Sequence, residues 1–325
     1  MTMKELAKLA NVSVSTVSKA FAEADDVSEE TKNHIFNIAK EYGCYGKFFK
    51  GKYSKKIIAI ICSELCSSFY TNFVVILQNM IEEQNGIAIV SADNFSTSKQ
   101  AELIEYFASY LKVDGIIVFN LKTKLKKGYD IPIISIFSSD DDNVDSIKTN
   151  SNEVIHESVE TLKKLGHKNI VFMGESLTKG REKVFKDATE KIMGYECKCF
   201  SSKFRFEKAG EDCVEQMINS RQIPTAIICG YDYIAFGVIK KLKEYGYSVP
   251  EDISVIGVDN ISVSEYIETG LSSIDINAKE FCLIALDLIN KKLKNKYFRA
   301  KQQITVNSKL VLRGSVRSIN ETTNI

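Results

Sequence analysis

The stretch NVSVSTVSKAF, residues 11–21, decides how the N-terminal segment is read. Four hydroxyl residues and three valines in eleven positions favour a strand or a loop by local propensity. The flanks argue otherwise. Upstream, Thr2 and Glu5 form a capping box, and Leu6, Leu9 and Ala10 share one helical face. Downstream, Ser28 caps SEETKNHIFNIAKEYG (28–43), with Glu29 and Glu30 in the first turn, Ile35, Ile38 and Ala39 facing inward, and Gly43 as the stop. Between two helices the stretch becomes a turn followed by a third. Asn11 suits the left-handed position after Ala10, and Ser13 caps the new helix. Val14, Val17 and Phe21 fall at helical spacing, so the valines are expected to pack towards Leu6 and Ile35. The opposite face, Ser15, Thr16, Ser18 and Lys19, has short side chains that permit close backbone approach and offer donors to phosphate oxygens.

The chain has 325 residues, 44% hydrophobic and 26% charged, enough for two or three domains with filled cores. No apolar run approaches the roughly 18 residues of a membrane span, and polar helix signals follow Met1 directly, so a cytoplasmic protein is expected. The eight cysteines are scattered, several inside apolar runs, and read as buried reduced thiols. Cys62/Cys66 and Cys197/Cys199 lack a nearby His at zinc-module spacing, so no metal is expected. The acidic run Asp140–Asp142 lacks the glycine and distal glutamate of a calcium loop. Net charge is +1, but residues 1–56 carry ten Lys against seven acidic residues. The excess collects at Lys47, Lys50, Lys52, Lys55 and Lys56, which suits either a polyanion or a solvated linker.

From Ile57 the pattern changes. The apolar runs IIAIIC (57–62), IAIVSA (87–92), DGIIVF (114–119) and IPIISIF (131–137) alternate with amphipathic helices. Continuous Ile/Val runs indicate strands buried on both faces, hence parallel sheets with crossover helices. The alternation resumes after residue 150 through NIVFMG (169–174), TAIICG (225–230) and ISVIGVD (253–259), predicting two doubly wound α/β lobes. QQITVNSKLVLRGSV (302–316) reads as a terminal hairpin or strand pair. The predicted organisation is a helix-turn-helix head over 1–45, a hinge over 46–56 and a core over 57–325, with lobes at approximately 57–150 and 151–275. Ligands in such sheets bind at the carboxyl ends of the strands, which places a site between the lobes. An enzyme is not expected. No G-x-G-x-x-G or P-loop follows the first strand, the three histidines lie in or beside amphipathic helices, and no Ser or Cys has a nucleophile-elbow setting.

At this point the sequence resembles the lactose-repressor/galactose-repressor family. The resemblance rests on MKELAKLANVSVSTVSKAF with VSEETKNHIFNIAKEYG, and it continues through IPIISIF, LKKLGHKNIVFMG, PTAIICGYDYIAFGVIKKLKEYGYSVPEDISVIGVDN and LVLRGS. It implies a dimeric regulator, expected to repress, that reads an inverted-repeat operator, with a periplasmic-binding-protein-like core that senses a small molecule. No cofactor is implied. By this resemblance Val14 and Ser15 face base edges, and Ser13, Thr16 and Ser18 position the unit on the DNA backbone. Lys19 stands where the family usually has Arg, a contact without the two-pronged fork.

Two regions depart from the family pattern. The hinge stretch CYGKFFKGKYSKK (44–56) has Gly46 in place of Pro and Gly51 inside the expected helix. Phe48, Phe49 or Tyr53 then serves as a minor-groove wedge, or the segment is a basic tether that touches phosphates through Lys47 and Lys50. In the effector site, Asp259 keeps the family carboxylate and Lys183 aligns with the ligand-binding Arg, with Arg181 one turn away as the alternative. Tyr231, Phe137 and Ile276 replace polar family residues, while Phe69, Tyr70 and Asp93 are further candidates. The family implies a sugar or sugar derivative. These substitutions point to a less polar ligand, or to a vestigial cleft in a protein controlled by a partner.

Overall fold

The computed structural model describes residues 1–48, 55–125, 128–295, 297–298 and 300–320, which fall into two compact units, Met1–Lys56 with 85–87, and the remainder from Ile57. The first contains α1 (Met3–Leu9), α2 (Val14–Phe21), α3 (Glu29–Glu41) and a single turn α4 (Tyr45–Phe48). Each of the first three helices starts where a side chain satisfies an orphan amide: Thr2 with Glu5 as a reciprocal box, Ser13 to Thr16 N–H, and Ser28 to Thr31 N–H. Asn11 adopts φ 52°, the left-handed conformation that an Asn tolerates and that turns the chain from α1 into α2. Leu6, Val17, Ala20 and Ile35 are completely buried, and Phe21 packs its ring against Phe36, Tyr45 and Phe48 at 5.1–5.8 Å.

The second unit begins with β1 (Ile57–Cys62), α5 (Ser68–Glu83), β2 (Ile87–Ala92), α6 (Thr97–Glu105, continued by a π-helical turn, Tyr106–Leu111), β3 (Gly115–Leu121), β4 (Ile133–Ser139) and β5 (Asp145–Thr149). It continues with α7 (Ser151–Lys164), β6 (Ile170–Glu175), α8 (Lys179–Met193), β7 (Cys199–Ser202), α9 (Phe206–Asn219), β8 (Ala226–Cys229), α10 (Asp232–Glu244), β9 (Ser254–Val258) and β10 (Ser272–Asp275). The closing elements are α11 (Ala278–Lys294), β11 (Gln303–Val306) and β12 (Lys309–Val311). Two six-stranded sheets result, ordered β11-β5-β4-β3-β1-β2 and β12-β10-β9-β8-β6-β7. The apolar runs are two-faced as their composition requires. Ile58 and Ile60 of β1 enter one core with Phe73, Phe119 and Phe281, while Ala59 and Ile61 enter another with Ile104 and Phe107. In the second lobe α9 and α10 touch at backbone distance: a Cβ on Gly237 would stand 1.9 Å from the Glu207 carbonyl oxygen, so only glycine permits this approach.

The C-terminal strands differ from the expected pair. β11 runs parallel to β5 in the first sheet, whereas β12 runs antiparallel to β10 in the second, with two residues between them. Their hydrogen-bonding edges are thus used by different lobes and not by each other. Likewise α11, although late in sequence, buries Phe281, Cys282, Ala285 and Ile289 in the first lobe. The chain passes between lobes three times, at 149–151, 275–278 and 306–309.

Candidate functional site

In the head, α2 presents Val14, Ser15, Ser18 and Lys19 to solvent while Val17 is buried. Only part of the valine expectation holds. Val14 is 41% exposed, because its position one turn before the buried stripe of Val17, Ala20 and Phe21 leaves it outside the core. Two hydroxyls are already engaged: Ser13 Oγ accepts the Thr16 amide at 2.9 Å and shares a 2.8 Å bond with Thr16 Oγ1. Lys19 forms an exposed ion pair with Asp26, which lowers the Asp26 pKa chiefly through that hydrogen bond. Lys47 donates to the Met1 carbonyl at 2.8 Å. Phe48 is 7% exposed and belongs to the head core, so the wedge role does not fit it. Phe49, Lys50 and Tyr53 lie outside the described residues.

In the core, the carboxyl ends of the strands meet at a cleft of about 370 Å³. Of the sequence candidates, Phe69, Tyr70, Phe137, Tyr231, Asp259 and Ile276 all line it. Two do not. Lys183 is replaced by Arg181, whose Nη2 lies 3.1 Å from Asp259 Oδ1 and whose Nη1 donates to Gly230 O at 2.5 Å. A side chain two positions along the helix from Arg181 is turned by about 200° and points elsewhere. Asp93 is buried and structural: it accepts from Gln100 Nε2 at 2.7 Å and from Phe95 N–H at 2.8 Å, and Gln100 accepts the Lys122 amide at 2.9 Å.

The first-lobe wall is aromatic. Phe69 stacks on Phe137 with centroids 5.7 Å apart, and Phe73, Phe119 and Phe281 surround that pair. Phe137 holds φ 76° at the end of β4, a conformation costly for a bulky side chain, which turns its ring to the cleft. Burial pushes the Tyr70 phenol up to about 12. On the second-lobe wall Tyr231 Oη accepts from Phe206 N–H at 3.0 Å and donates to Glu175 Oε1 at 3.2 Å. Asp259 (φ 98°) and Asn260 (φ 47°) form a strained corner after β9. Burial raises the Asp259 carboxyl to about 6 even though Arg181 opposes the shift.

That corner is anchored by a residue without an obvious sequence signal. Asp232, at the start of α10, accepts from Ile261 N–H at 2.9 Å, Ser264 Oγ at 2.6 Å and Ser273 Oγ at 2.6 Å. Burial first, and the nearby Asp259 charge second, raise its carboxyl to about 7 despite these donors. Sequence reading also missed Glu64, Asn120, Lys122, Arg205 and Tyr233 as lining residues: Glu64, Lys122 and Arg205 are loop charges without a local pattern, Asn120 sits near the end of β3, and Tyr233 is in the first turn of α10. Among the described residues no group of three or more His, Cys, Asp or Glu is placed to hold a metal, and Asp141 instead accepts the amides of Leu125 and Asn143. No described helix is long and apolar enough to cross a membrane.

Comparison with known proteins matches residues 2–45 to the model for bacterial regulatory proteins of the lacI family and residues 159–316 to a periplasmic binding protein-like domain. The chain is 27% identical over 336 residues to the HTH-type transcriptional repressor PurR of Actinobacillus pleuropneumoniae serotype 3 (strain JL03), covering 98% of this chain and 99% of the relative. The lac repressor dimer bound to operator and the anti-inducer ONPF superposes with a TM-score of 0.73 at 18% identity, over 98% of this chain and 99% of that one. A LacI family transcriptional regulator from Enterococcus faecium with bound ribose superposes with a TM-score of 0.70 at 21% identity, over 82% of this chain and 100% of that one.

Proposed function

The chain belongs to the lacI family of bacterial regulatory proteins and is a DNA-binding transcriptional repressor; from that premise we propose that it grips an inverted-repeat operator as a two-fold dimer and responds to a small molecule in the interlobe cleft. Support for the DNA mode comes from α2, where Val14, Ser15, Ser18 and Lys19 form an exposed face above the buried Val17 and Ala20. Val14 and Ser15 start that helix and meet base edges, Ser13, Thr16 and Ser18 set its distance from the backbone, and Lys47 and Lys50 add phosphate contacts.

One observation carries the effector reading: the Arg181–Asp259 pair faces a stacked Phe69–Phe137 wall across the same cleft. A carboxylate with one oxygen unengaged accepts protons, a guanidinium donates, and an aromatic wall takes an apolar face. The effector is therefore a small molecule with one flat, apolar face and a hydroxyl- or amide-bearing edge. Selection of bound sequences from random duplex DNA by the full chain tests the first half. Enrichment of a two-fold symmetric site is expected, and recovery of only an isolated half-site would overturn the dimeric mode. A thermal-shift screen of sugars, nucleosides and aromatic amides tests the second. A ligand at about 100 times its Kd stabilises the core by about 2.7 kcal/mol. No shift with any class, together with intact DNA binding, would leave control to a partner protein.

A further inference from the structure

Arg205, the residue that precedes α9, occupies an unusual position at the mouth of the cleft. Its Nη1 and Nη2 donate to the two oxygens of Glu64 at 2.8 and 3.0 Å, a bidentate pair. Glu64 follows β1 in the first lobe, whereas Arg205 belongs to the second. The guanidinium also lies between two rings, 5.2 Å from the centroid of Phe95 in the first lobe and 4.5 Å from that of Phe206 in the second. Its Nε points to Glu175 Oε1 at 3.9 Å. A second crossing stands beside it: Tyr233 Oη, on α10, accepts the Ser68 amide at 3.0 Å and shares a 2.7 Å bond with Ser68 Oγ, on α5.

These contacts share one property. Every one of the inter-lobe partners lies on a loop or a helix start at the rim, so the contacts exist only while the lobes are closed. Glu64 is 7% exposed, and burial alone would raise its carboxyl, yet the Arg205 fork and the Cys66 thiol outweigh this and hold it below the ordinary value. We propose that Arg205 is a positioning residue that, with Glu64, latches the two lobes closed across the cleft without a ligand, seconded by Tyr233 on Ser68. An effector must then open this latch to enter and gains it again on closure. This rests on the cleft as the effector site only for that last step. The latch itself requires no ligand.

The test uses the full chain without ligand and reads backbone hydrogen exchange on both sides of the rim, 63–70 and 203–208, with small-angle scattering for the overall size. Arg205→Gln and Glu64→Gln are each expected to accelerate exchange in both segments by about tenfold and to enlarge the radius of gyration. The charge-reversed double variant, Glu64→Arg with Arg205→Glu, is expected to restore much of the protection. Circular dichroism of each variant checks folding. Should Arg205→Gln prove unfolded, Arg205→Lys keeps the charge without the fork and is expected to show an intermediate effect. Acceleration confined to one lobe, or no recovery in the double variant, overturns the latch. A failed effector screen leaves this outcome untouched.

Discussion

In the head, Ser13, Val14, Ser15 and Lys19 lie within two turns of one helix; in the cleft, Arg181 meets Asp259 across 78 residues and Arg205 meets Glu64 across 141. The head places its side chains by local rules, namely a cap, a left-handed turn and a periodic apolar stripe, over a core small enough to depend on each member. The cleft places its side chains by bringing together segments far apart in sequence, and its chemistry is paired internally: Arg181 with Asp259 and Tyr231 with Glu175 within the second lobe, Arg205 with Glu64 between the lobes. One surface is built to be offered to a large partner. The other is built to be almost satisfied before anything binds.

That difference is broken most forcefully at Ile35, which is completely buried in the head. Ile35→Ala should cost about 2–5 kcal/mol through lost burial and the cavity left behind, a large part of what so small a unit can hold. The expected result is loss of DNA binding with the unfolding transition of the core unchanged, read by calorimetry alongside a DNA-shift assay. A core transition that moved with the head would show that the two regions are not independent.

Burial of two carboxyls at and behind the cleft predicts a loss of stability with rising pH, opposite in sign to the effect of the lowered Asp26 carboxyl in the head. Asp259 and Asp232 have carboxyls raised from the ordinary 3.8 to about 6 and about 7. A carboxyl raised on folding keeps a proton that the unfolded chain has released, so stability falls as pH rises from about 4 through about 7. For Asp259 alone the change is on the order of 3 kcal/mol. Urea unfolding of the core at pH 5 and pH 8 should therefore show wild type losing stability with rising pH, and Asp259→Asn losing distinctly less. Equal slopes in the two proteins would remove the electrostatic account of that corner.

The same contrast explains what could be read from the sequence. Head helices 1–3 and the both-face-buried strands follow from caps and apolar runs, because those signals act over a few residues. Asp259 was legible as a carboxylate at a strand end, and Arg181 only as the alternative to Lys183, since a two-residue shift of register on α8 decides which side chain enters the cleft. Glu64 and Arg205 carry no signal at all. Each is an ordinary loop charge until two sheets fold and bring them together. The separation of β11 from β12 was hidden for a related reason, as strand pairing depends on which lobe has an open edge and not on the turn between them.

A smaller test returns to the hydroxyl-rich stretch. Ser13→Ala removes the acceptor for the Thr16 amide and should cost the head about 1 kcal/mol, within the usual 0.5–2 kcal/mol for a lost N-cap. Ser15→Ala, on the exposed face, should leave stability unchanged while weakening DNA binding. If both variants lost stability equally, Ser15 would be a structural residue and the division of the hydroxyls into capping and contacting sets would fail.

The finest distinction lies at Lys19, which the head already pairs with Asp26. Both groups are exposed, so the pair is screened and contributes little to folding. Its consequence is for DNA, where Asp26 competes with the operator for the one cation on the contacting face of α2 and adds a negative charge beside the phosphates. Asp26→Asn is therefore expected to tighten binding about twofold to fivefold at low salt, with the gain shrinking as salt rises. Lys19→Ala should act in the opposite direction and lower the slope of log affinity against log salt by about one if the contact is to phosphate. A Lys19→Ala variant that instead bound all sequences with an unchanged slope but lost its preference at one base pair would assign Lys19 to base reading.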